Sequence, residues 1–567
     1  MIKNILTGES DMRDVLTYLI IKLMVIKGRL DLNSLNRSTI NARKKNEKLL
    51  MKIIRRNENS GFGKKHGFKD IRTVEEYRNR IPLSNYDDYK EDIQRMIDDN
   101  QEDLLTSLKL IGYSMTSGST GNVKYFPITT PELQIYIKYT LTIMMALTDR
   151  YQREHYGRAL KPGRGFFIMC NTEEHFPNGR MCSNVADIAS DKLGFVYPYL
   201  IGNPFRKMFR SEDIDIKYGT IRFSLEDKNT MYIFSVFMSN VFDSLNYLKE
   251  NWRVFVDDIE KGTVSDIARA TEETKVKLKK VLKPNPERAA ELRREFEKGF
   301  DETIIKRIWP NMSVIYGIGN GTFAPFTKEV RKLAVSVPID HSIYGASEGM
   351  FATVNELEKE RRLLLVDSCY YEFIPQDDES KILTLDELEV GKEYEIVITN
   401  QAGLYRYRCG DVIQVESYMN GCPYITFSYR KGHLLSITGE KTTEKHMEEL
   451  IKRLEEKSDC ENIRWAVTID TNTYPASYLL MLENDKGVDL SKYSQIANEE
   501  MCDINKRYND LIGLDLIGEM QIRNLKPGTF EEWKQVLSDK GVSPNQIKPV
   551  TVLDNKEKEN FFFNHLI

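Results

Sequence analysis

Tyr113-Ser114-Met115-Thr116-Ser117-Gly118-Ser119-Thr120-Gly121-Asn122-Val123-Lys124 is the stretch on which the reading of this chain turns. From Thr116 onward it packs two glycines, four hydroxyl residues and a lysine into nine positions, directly after the apolar run Leu104–Ile111. Glycine lets a loop bend tightly and bring backbone N–H groups and hydroxyls close to an anion, and the lysine adds a mobile positive charge. A polyphosphate fits such a loop. The spacing is not the G-x-x-x-x-G-K-[ST] of the ordinary P-loop, because the lysine follows the second glycine at a distance and no hydroxyl follows the lysine. Taken alone, the stretch reads equally well as a surface loop of small polar residues.

Its company along the chain separates the two readings. Tyr344-Gly345-Ala346-Ser347-Glu348-Gly349 follows an apolar stretch, and Gly403-Leu404-Tyr405-Arg406-Tyr407-Arg408-Cys409-Gly410-Asp411 comes after it. The loop with its lysine, Y-G-x-S-E and Y-R-x-G-D, in this order, resemble the adenylate-forming superfamily of acyl-AMP synthetases. Ile81–Tyr89 (IPLSNYDDY), Trp252–Ser265 (WRVFVDDIEKGTVS), Tyr371–Pro375 (YEFIP) and Arg430–Ile437 (RKGHLLSI) narrow it. Together they resemble the plant auxin-responsive acyl acid–amido synthetases, the Gretchen Hagen family, and their bacterial relatives. The resemblance runs from about Ile81 to Pro549, nearly the whole chain.

That resemblance implies an α/β, luciferase-like adenylate-forming fold. A large N-terminal nucleotide- and acyl-binding domain would span 1–430, with a helical segment over 1–100 and a β-rich subdomain near 370–430. A small mobile α+β domain would follow over 431–567. It also implies roles by matching position. Ser117, Gly118, Ser119, Thr120, Gly121 and Lys124 would hold the departing phosphates of ATP. Glu348 would hold Mg²⁺ against the triphosphate, a task for which one carboxylate plus phosphate oxygens suffices. Tyr344 would flank the adenine, with Ser347 in the same turn and Gly321 in a glycine-rich segment beside the nucleotide. Asp411 would accept the two ribose hydroxyls, one on each carboxylate oxygen. Arg430 sits where the superfamily places its interdomain hinge, next to Gly432. Lys441 and Lys548 match positions from which the second domain reaches the reacting groups. Each of these residues has an ordinary alternative: Glu348 and Asp411 as turn acids, the two lysines as solvated surface charge.

Composition narrows the partners. Net charge is −4 with a pI near 6.1, so no basic face shows in the average and a nucleic-acid partner is not expected. Hydrophobic content of 41% is ample for packed cores, and 567 residues exceed the usual size of one core. Seven scattered cysteines with no C-x-x-C read as reduced thiols of a cytoplasmic protein. The apolar run Tyr18–Ile26 contains Lys22 and is too short to span a bilayer, and Asp11 and Asp14 precede it where a signal peptide would be basic. It reads as a buried N-terminal helix, with no membrane partner and a monomeric protein expected.

Periodicity predicts helices over Leu16–Leu30, Asn41–Arg56 and Thr130–Leu147, the last opened by Thr130 and Pro131. Lys109–Tyr113, Gly165–Cys170, Met231–Met238, Ser313–Ile318 and Ser342–Tyr344 read as strands, alternating with helices at Asn240–Trp252 and Glu287–Phe300. Tyr370–Phe427 reads as close-spaced strands with a turn at Asn420–Gly421. After Arg430, a helix over Glu444–Glu456, strands over Arg464–Ile469 and Ala476–Glu483 and a helix over Asp489–Tyr508 make the second domain.

Two rival motifs give way. Gly345-Ala346-Ser347-Glu348-Gly349 fits the nucleophile elbow G-x-S-x-G, but only His433, His446 and His565 lie downstream, the last in a Phe-rich tail. Gly317-Ile318-Gly319-Asn320-Gly321-Thr322 has Thr322 where a dinucleotide fingerprint needs its third glycine. The expected activity is that of an ATP- and Mg²⁺-dependent ligase that adenylates a carboxylic acid and passes the acyl group to an amino acid amine. The alternatives are an acyl-CoA synthetase-type ligase, which shares the first half-reaction, and an ATP- or AMP-binding protein without acyl transfer.

Overall fold

The computed structural model describes residues 12–117, 123–169, 174–203, 205, 209–210, 212–319, 323–341, 343–431, 435–458, 460, 463–484, 486–539, 550–553 and 556–567. Gly118, Ser119, Thr120, Gly121, Gly321, Gly432 and Lys548, expected at the site or its hinge, lie outside this set, as do the side chains of Ser117 and Val123. The chain divides into two compact units. One holds Met1–Thr116, Lys124–Gly321 and Lys328–Lys431; the other holds Ser117–Val123, Thr322–Thr327 and Gly432–Ile567.

In the larger unit, helix α1 (Met12–Ser38) leads through a tight turn at Asn41 (φ 55°) into α2 (Ala42–Arg56). Thr17, Ile21, Val25, Gly28, Leu32 and Leu35 form the buried face of α1. At Gly28 the backbones come so close that a Cβ would stand 1.8 Å from the carbonyl oxygen of Thr142. The expected buried helix is therefore present, but only one face of it is covered: Leu19, Leu23 and Ile26 in the same apolar run are exposed.

The predicted helix from Thr130 runs on to Tyr156 as Thr130–Ile137, a π-type turn Lys138–Thr142, and Ile143–Tyr156. Its cap is Thr129, one residue before the expected one: Thr129 N and Oγ1 both donate to Glu132 Oε2 at 3.0 Å. Four parallel strands, Gly165–Phe167, Tyr232–Phe237, Val314–Ile318 and Ile339–Asp340, form one sheet, with helices such as Ile216–Glu226 and Met238–Lys261 in the connections. Their mostly buried, β-branched and aromatic runs are what a sheet covered on both faces requires.

A seven-stranded antiparallel sheet contains Tyr370–Pro375, Glu393–Thr399, Tyr407–Met419, Cys422–Arg430, Arg362–Leu364, Gly349–Thr353 and Ile343–Ala346, in that spatial order. This is the expected β-rich region, extended by the strands around Glu348. Two of the family-like motifs are locked together inside it. Arg406, at φ 50°, forks onto Glu372 with Nε and Nη2 at 2.8 and 2.9 Å, both side chains being buried, and its Nη1 donates to the carbonyls of Arg78 and Ile81 at 2.7 Å. Ser84 N donates to Arg406 O and Arg408 N to Ser84 O. The IPLSNYDDY stretch is thereby fixed beside the strand that carries Asp411. A fully desolvated bidentate pair of this kind demands both partners, since removing one leaves a buried charge.

The smaller unit has its own three-stranded sheet: Arg464–Asp470, Ser477–Glu483 and Gly518–Asn524, the first pair antiparallel and the second parallel. Helix Glu444–Ser458 and a pair of helices, Ser494–Ile504 and Lys506–Gly513, accompany it. The sequence predicts one helix over Asp489–Tyr508. Asn505 breaks it, ending the first helix with extended backbone and capping the second with its side-chain oxygen toward Arg507 N and Tyr508 N. Leu479, Met481, Phe530, Trp533 and Phe562 are among the residues of a separate core there.

Candidate active site

Strands β1 (Leu110–Ser117) and β2 (Val123–Thr129) are sheet neighbours on either side of the Ser/Thr/Gly loop. Lys124 opens β2. Its ammonium lies 5.2 Å from the centre of the Tyr86 ring, and Tyr86 Oη accepts a hydrogen bond from Tyr125 N at 2.9 Å. A ring face holds a cation without neutralising it, so the charge stays available to an anion.

The acids come from two hairpins of the seven-stranded sheet. β3 (Ile343–Ala346) and β4 (Gly349–Thr353) pair with Ala346 opposite Gly349, which puts Ser347 and Glu348 in the tip. β5 (Tyr407–Met419) and β6 (Cys422–Arg430) pair with Asp411 opposite Arg430. Arg430 then joins the two hairpins. Its Nε stands 2.9 Å from Asp411 Oδ1, and its Nη2 stands 3.2 Å from Glu348 Oε1 and 2.9 Å from Cys409 O. Tyr344 Oη donates to Asp411 Oδ2 at 2.8 Å. Glu348 and Asp411 are each 5% exposed at the side chain and Arg430 21%.

Electrostatics follow from that burial. Desolvation alone would lower the Arg430 pKa, but the carboxylates of Asp411 and Glu348 outweigh it and push the value up. The Tyr344 hydroxyl and the Cys409 thiol are held well above their usual ranges by burial first, then by the nearby carboxylates. Two carboxyl groups thus share one guanidinium in a mostly dry place. That arrangement suits hydroxyl donors and a cation.

The Ser347 tip is tied back to β1. Ser114 Oγ donates to Ser347 O at 3.1 Å, and Ser347 Oγ to Met115 O at 3.5 Å. Tyr407 connects the remaining parts: Phe126 packs between it and Tyr86, and burial together with the Glu348 charge raises its pKa. The structure therefore brings Lys124, Tyr344, Ser347, Glu348, Asp411 and Arg430 into one neighbourhood of the larger unit. Lys441 belongs to the smaller unit, at φ 51°, and is half-buried. Its neighbour Glu440 is buried and accepts from Tyr478 Oη, Ile437 N and Thr438 N.

Sequence reasoning missed Asn400 and the role of Tyr86. Asn400 Nδ2 donates to Glu348 O at 2.8 Å while its Oδ1 collects the backbone N–H groups of Ala402, Gly403 and Leu404. An asparagine ahead of Ala-Gly is an ordinary turn signal, and nothing local says that its amide reaches the tip of a distant hairpin. Among the described residues no cluster of three His, Cys, Asp or Glu side chains could hold a metal by itself. Glu348 thus fits a divalent cation only together with oxygens brought by a ligand, the usual situation for Mg²⁺.

Family models match as the GH3 family N-terminal domain over residues 31–339, the central domain over 362–430 and the C-terminal domain over 441–557. The probable indole-3-acetic acid-amido synthetase GH3.1 of Arabidopsis thaliana is 27% identical over 533 residues, covering 90% of this chain and 89% of its own. The jasmonoyl–L-amino acid synthetase GH3.5 of Oryza sativa subsp. japonica is 26% identical, covering 94% of this chain and 97% of its own. The solved AtGH3.15 acyl acid amido synthetase in complex with 2,4-DB superposes with a TM-score of 0.65 at 22% identity, over 95% of this chain and 96% of that one. The order of motifs, the acid pair on its two hairpins and the match along all three regions have one reading: the chain belongs to the GH3 family.

Proposed function

We propose that this chain is an ATP- and Mg²⁺-dependent acyl acid–amido synthetase, joining a carboxylic acid to the amine of an amino acid. The observation that carries the reading is the chain of contacts Tyr344–Asp411–Arg430–Glu348, which sets a ribose acceptor and a cation-holding acid a single guanidinium apart. In the first half-reaction a substrate carboxylate oxygen bonds to the α-phosphorus of ATP and the bond to pyrophosphate breaks. In the second, the amine bonds to the acyl carbon, AMP leaves and the nitrogen gives up a proton. No protein nucleophile is needed, and placement plus charge neutralisation carries the rate.

Asp411 accepts the ribose hydroxyls, with Tyr344 fixing the orientation of its carboxylate and offering its ring to the adenine. Lys124 and the loop Ser117–Gly121 neutralise the departing phosphates, beside Gly321. Glu348 holds the Mg²⁺, which when bound neutralises charge on the triphosphate. Arg430 holds both acids apart from each other's repulsion and passes to the nucleotide once ligands arrive. By their match to the family, Lys441 and Lys548 would act on the reacting groups in the second half-reaction. Buried thiols at Cys182, Cys369, Cys409 and Cys422 support a reducing, cytoplasmic setting. A monomer with small-molecule substrates and no nucleic-acid partner completes the reading.

The test is ATP-dependent pyrophosphate release over a panel of aromatic, indolic, acyl-chain and keto acids, followed by capture of the acyl group by amino acids or by coenzyme A. Amide formation supports the reading. Thioester formation with no amide would move the chain to the acyl-CoA ligases, and nucleotide binding with no pyrophosphate release on any acid would leave a binding protein.

A further inference from the structure

Helix α1 carries a second apolar face that nothing in the described chain covers. Met12, Leu16, Leu19, Leu23, Ile26 and Leu30 recur at alternating steps of four and three residues, and all but the half-buried Leu16 are between 50% and 70% exposed. A 3.6-residue helical turn puts these positions on one line, opposite the buried line through Ile21, Val25, Gly28 and Leu32. The stripe is about 27 Å long at 1.5 Å per residue. Scattered apolar side chains on a surface need no explanation, but a continuous ridge of this length marks a docking surface.

The charges beside it indicate what docks. Lys22, Lys27, Arg29 and Arg37 flank or continue the stripe, and no acid stands on the outward half of the helix. The acids of α1, Asp14 and Asp31, lie toward the protein, where Asp14 pairs with Arg164 and Asp31 takes the Thr142 hydroxyl and the Lys27 ammonium. Arg29 reaches inward to Asp149, and Lys22 lies over the Tyr18 ring. Ile40, exposed in the turn that follows, lengthens the apolar surface. A second copy of α1 would face this stripe with the same cations and repel them. A flat anionic surface with an apolar interior satisfies both features at once, as for helices that lie in a bilayer interface with cations at their margins.

We propose that α1 is a membrane-surface helix, seating the protein on anionic phospholipid with the Leu19–Leu30 stripe in the acyl boundary and Lys22 and Arg37 among the headgroups. The expectation of no membrane partner rests on the apolar run Tyr18–Ile26 being too short to span, and no described helix is long and apolar enough to cross a bilayer. A helix lying on the surface does not need to be. The site is separate from the acid pair of the two hairpins and does not depend on the substrate.

The experiment is co-sedimentation of the full chain with vesicles of phosphatidylcholine alone or with added phosphatidylserine or phosphatidylglycerol, with sedimentation velocity of the free protein alongside. Binding to the anionic vesicles at least about tenfold above neutral ones, weakened by salt, is expected. Leu23→Gln with Ile26→Gln, and separately Leu19→Gln with Leu30→Gln, should each lose about tenfold while keeping the wild-type unfolding temperature and pyrophosphate release. Lys22→Glu with Arg37→Glu should lose the preference for anionic lipid. Equal, negligible binding to both vesicle types would overturn the proposal. So would binding that survives both glutamine pairs, or a dimer that those pairs convert to monomer, since a second copy would then own the stripe.

Discussion

Lys124 and Glu348 stand on different elements and are expected to fail alike. Lys124→Ala and Glu348→Ala should each lower acyl-AMP formation by about a hundredfold or more, the size expected when one preorganised charge contact is lost from a transition state. Pyrophosphate release near the wild-type rate in either variant, on an accepted acid, would remove that residue from the site. Tyr344→Phe asks a subtler question. It deletes only the hydroxyl that donates to Asp411, and a hydrogen bond to a charged group is worth about 1.5–3 kcal/mol. Because ribose contacts are similar in ground and transition states, the KM for ATP should rise about tenfold or more with kcat little changed. A kcat effect with an unaltered KM would mean that Tyr344 acts on the reacting groups and not through Asp411. Asp243 offers a pH signature away from the site. It is buried on helix Met238–Lys261, its Oδ1 has no hydrogen-bond partner among the described residues, and burial raises its pKa to about 7, with Lys217 offsetting a part. An unfolded aspartate titrates near about 3.9, so between about pH 4 and 7 the folded state keeps a proton that the unfolded chain has released. Stability therefore falls as pH rises through that window, by about 1.4 kcal/mol per unit for this one group. Asp243→Asn should flatten the dependence of the unfolding temperature between pH 4 and 7; an unchanged slope would mean that the carboxyl titrates elsewhere.

At the scale of elements, most strands and helices could be read from the chain because their periods are local properties. Val314–Ile318 and Ser477–Glu483 match their apolar runs within a residue or two, and the hairpin at Asn420–Gly421 sits where a φ of 54° at Asn420 allows it. The residues that assemble the site were readable as motifs and not as contacts. Asp411 and Arg430 meet through strand register, Glu348 and Arg430 through two hairpins of one sheet, and Asn400 and Glu348 through a turn. None of these distances is encoded by spacing along the chain. The split at Asn505 is not legible in the chain because its cap competes with a helical pattern on both sides. The smaller unit supplies a prediction of its own. Trp533 is 3% exposed among Phe530, Phe561 and Phe562, and Trp533→Ala should cost about 3–5 kcal/mol of that unit's stability. Differential scanning calorimetry should show one transition moving down and the larger unit's transition in place; a single shared shift would mean that the two cores melt together.

At the scale of the whole molecule, the N-terminal helix raises a question of orientation. A helix greasy on opposite sides could in principle roll half a turn and bury its other ridge with a similar gain from desolvation. Hydrophobicity is blind to that choice. What distinguishes the two poses is the fine shape of the line through Gly28, where a missing side chain admits the Thr142 carbonyl, and Asp31 meets the Thr142 hydroxyl at 2.7 Å. A rolled helix would bury Leu23 and Ile26 against that carbonyl and take Asp31 away from the hydroxyl, leaving it only its bond to the Lys138 carbonyl. Gly28→Ala is the discriminating change. In an exposed helix interior it would stabilise by about 1 kcal/mol through backbone entropy alone. Here it should destabilise, with a lowered unfolding temperature as the readout, and a gain in stability would show that the backbones part easily. On this view a single absent methyl group acts as the key that tells an otherwise symmetrical rod which way to face. It decides which of its two ridges the protein keeps for itself and which it offers to the outside.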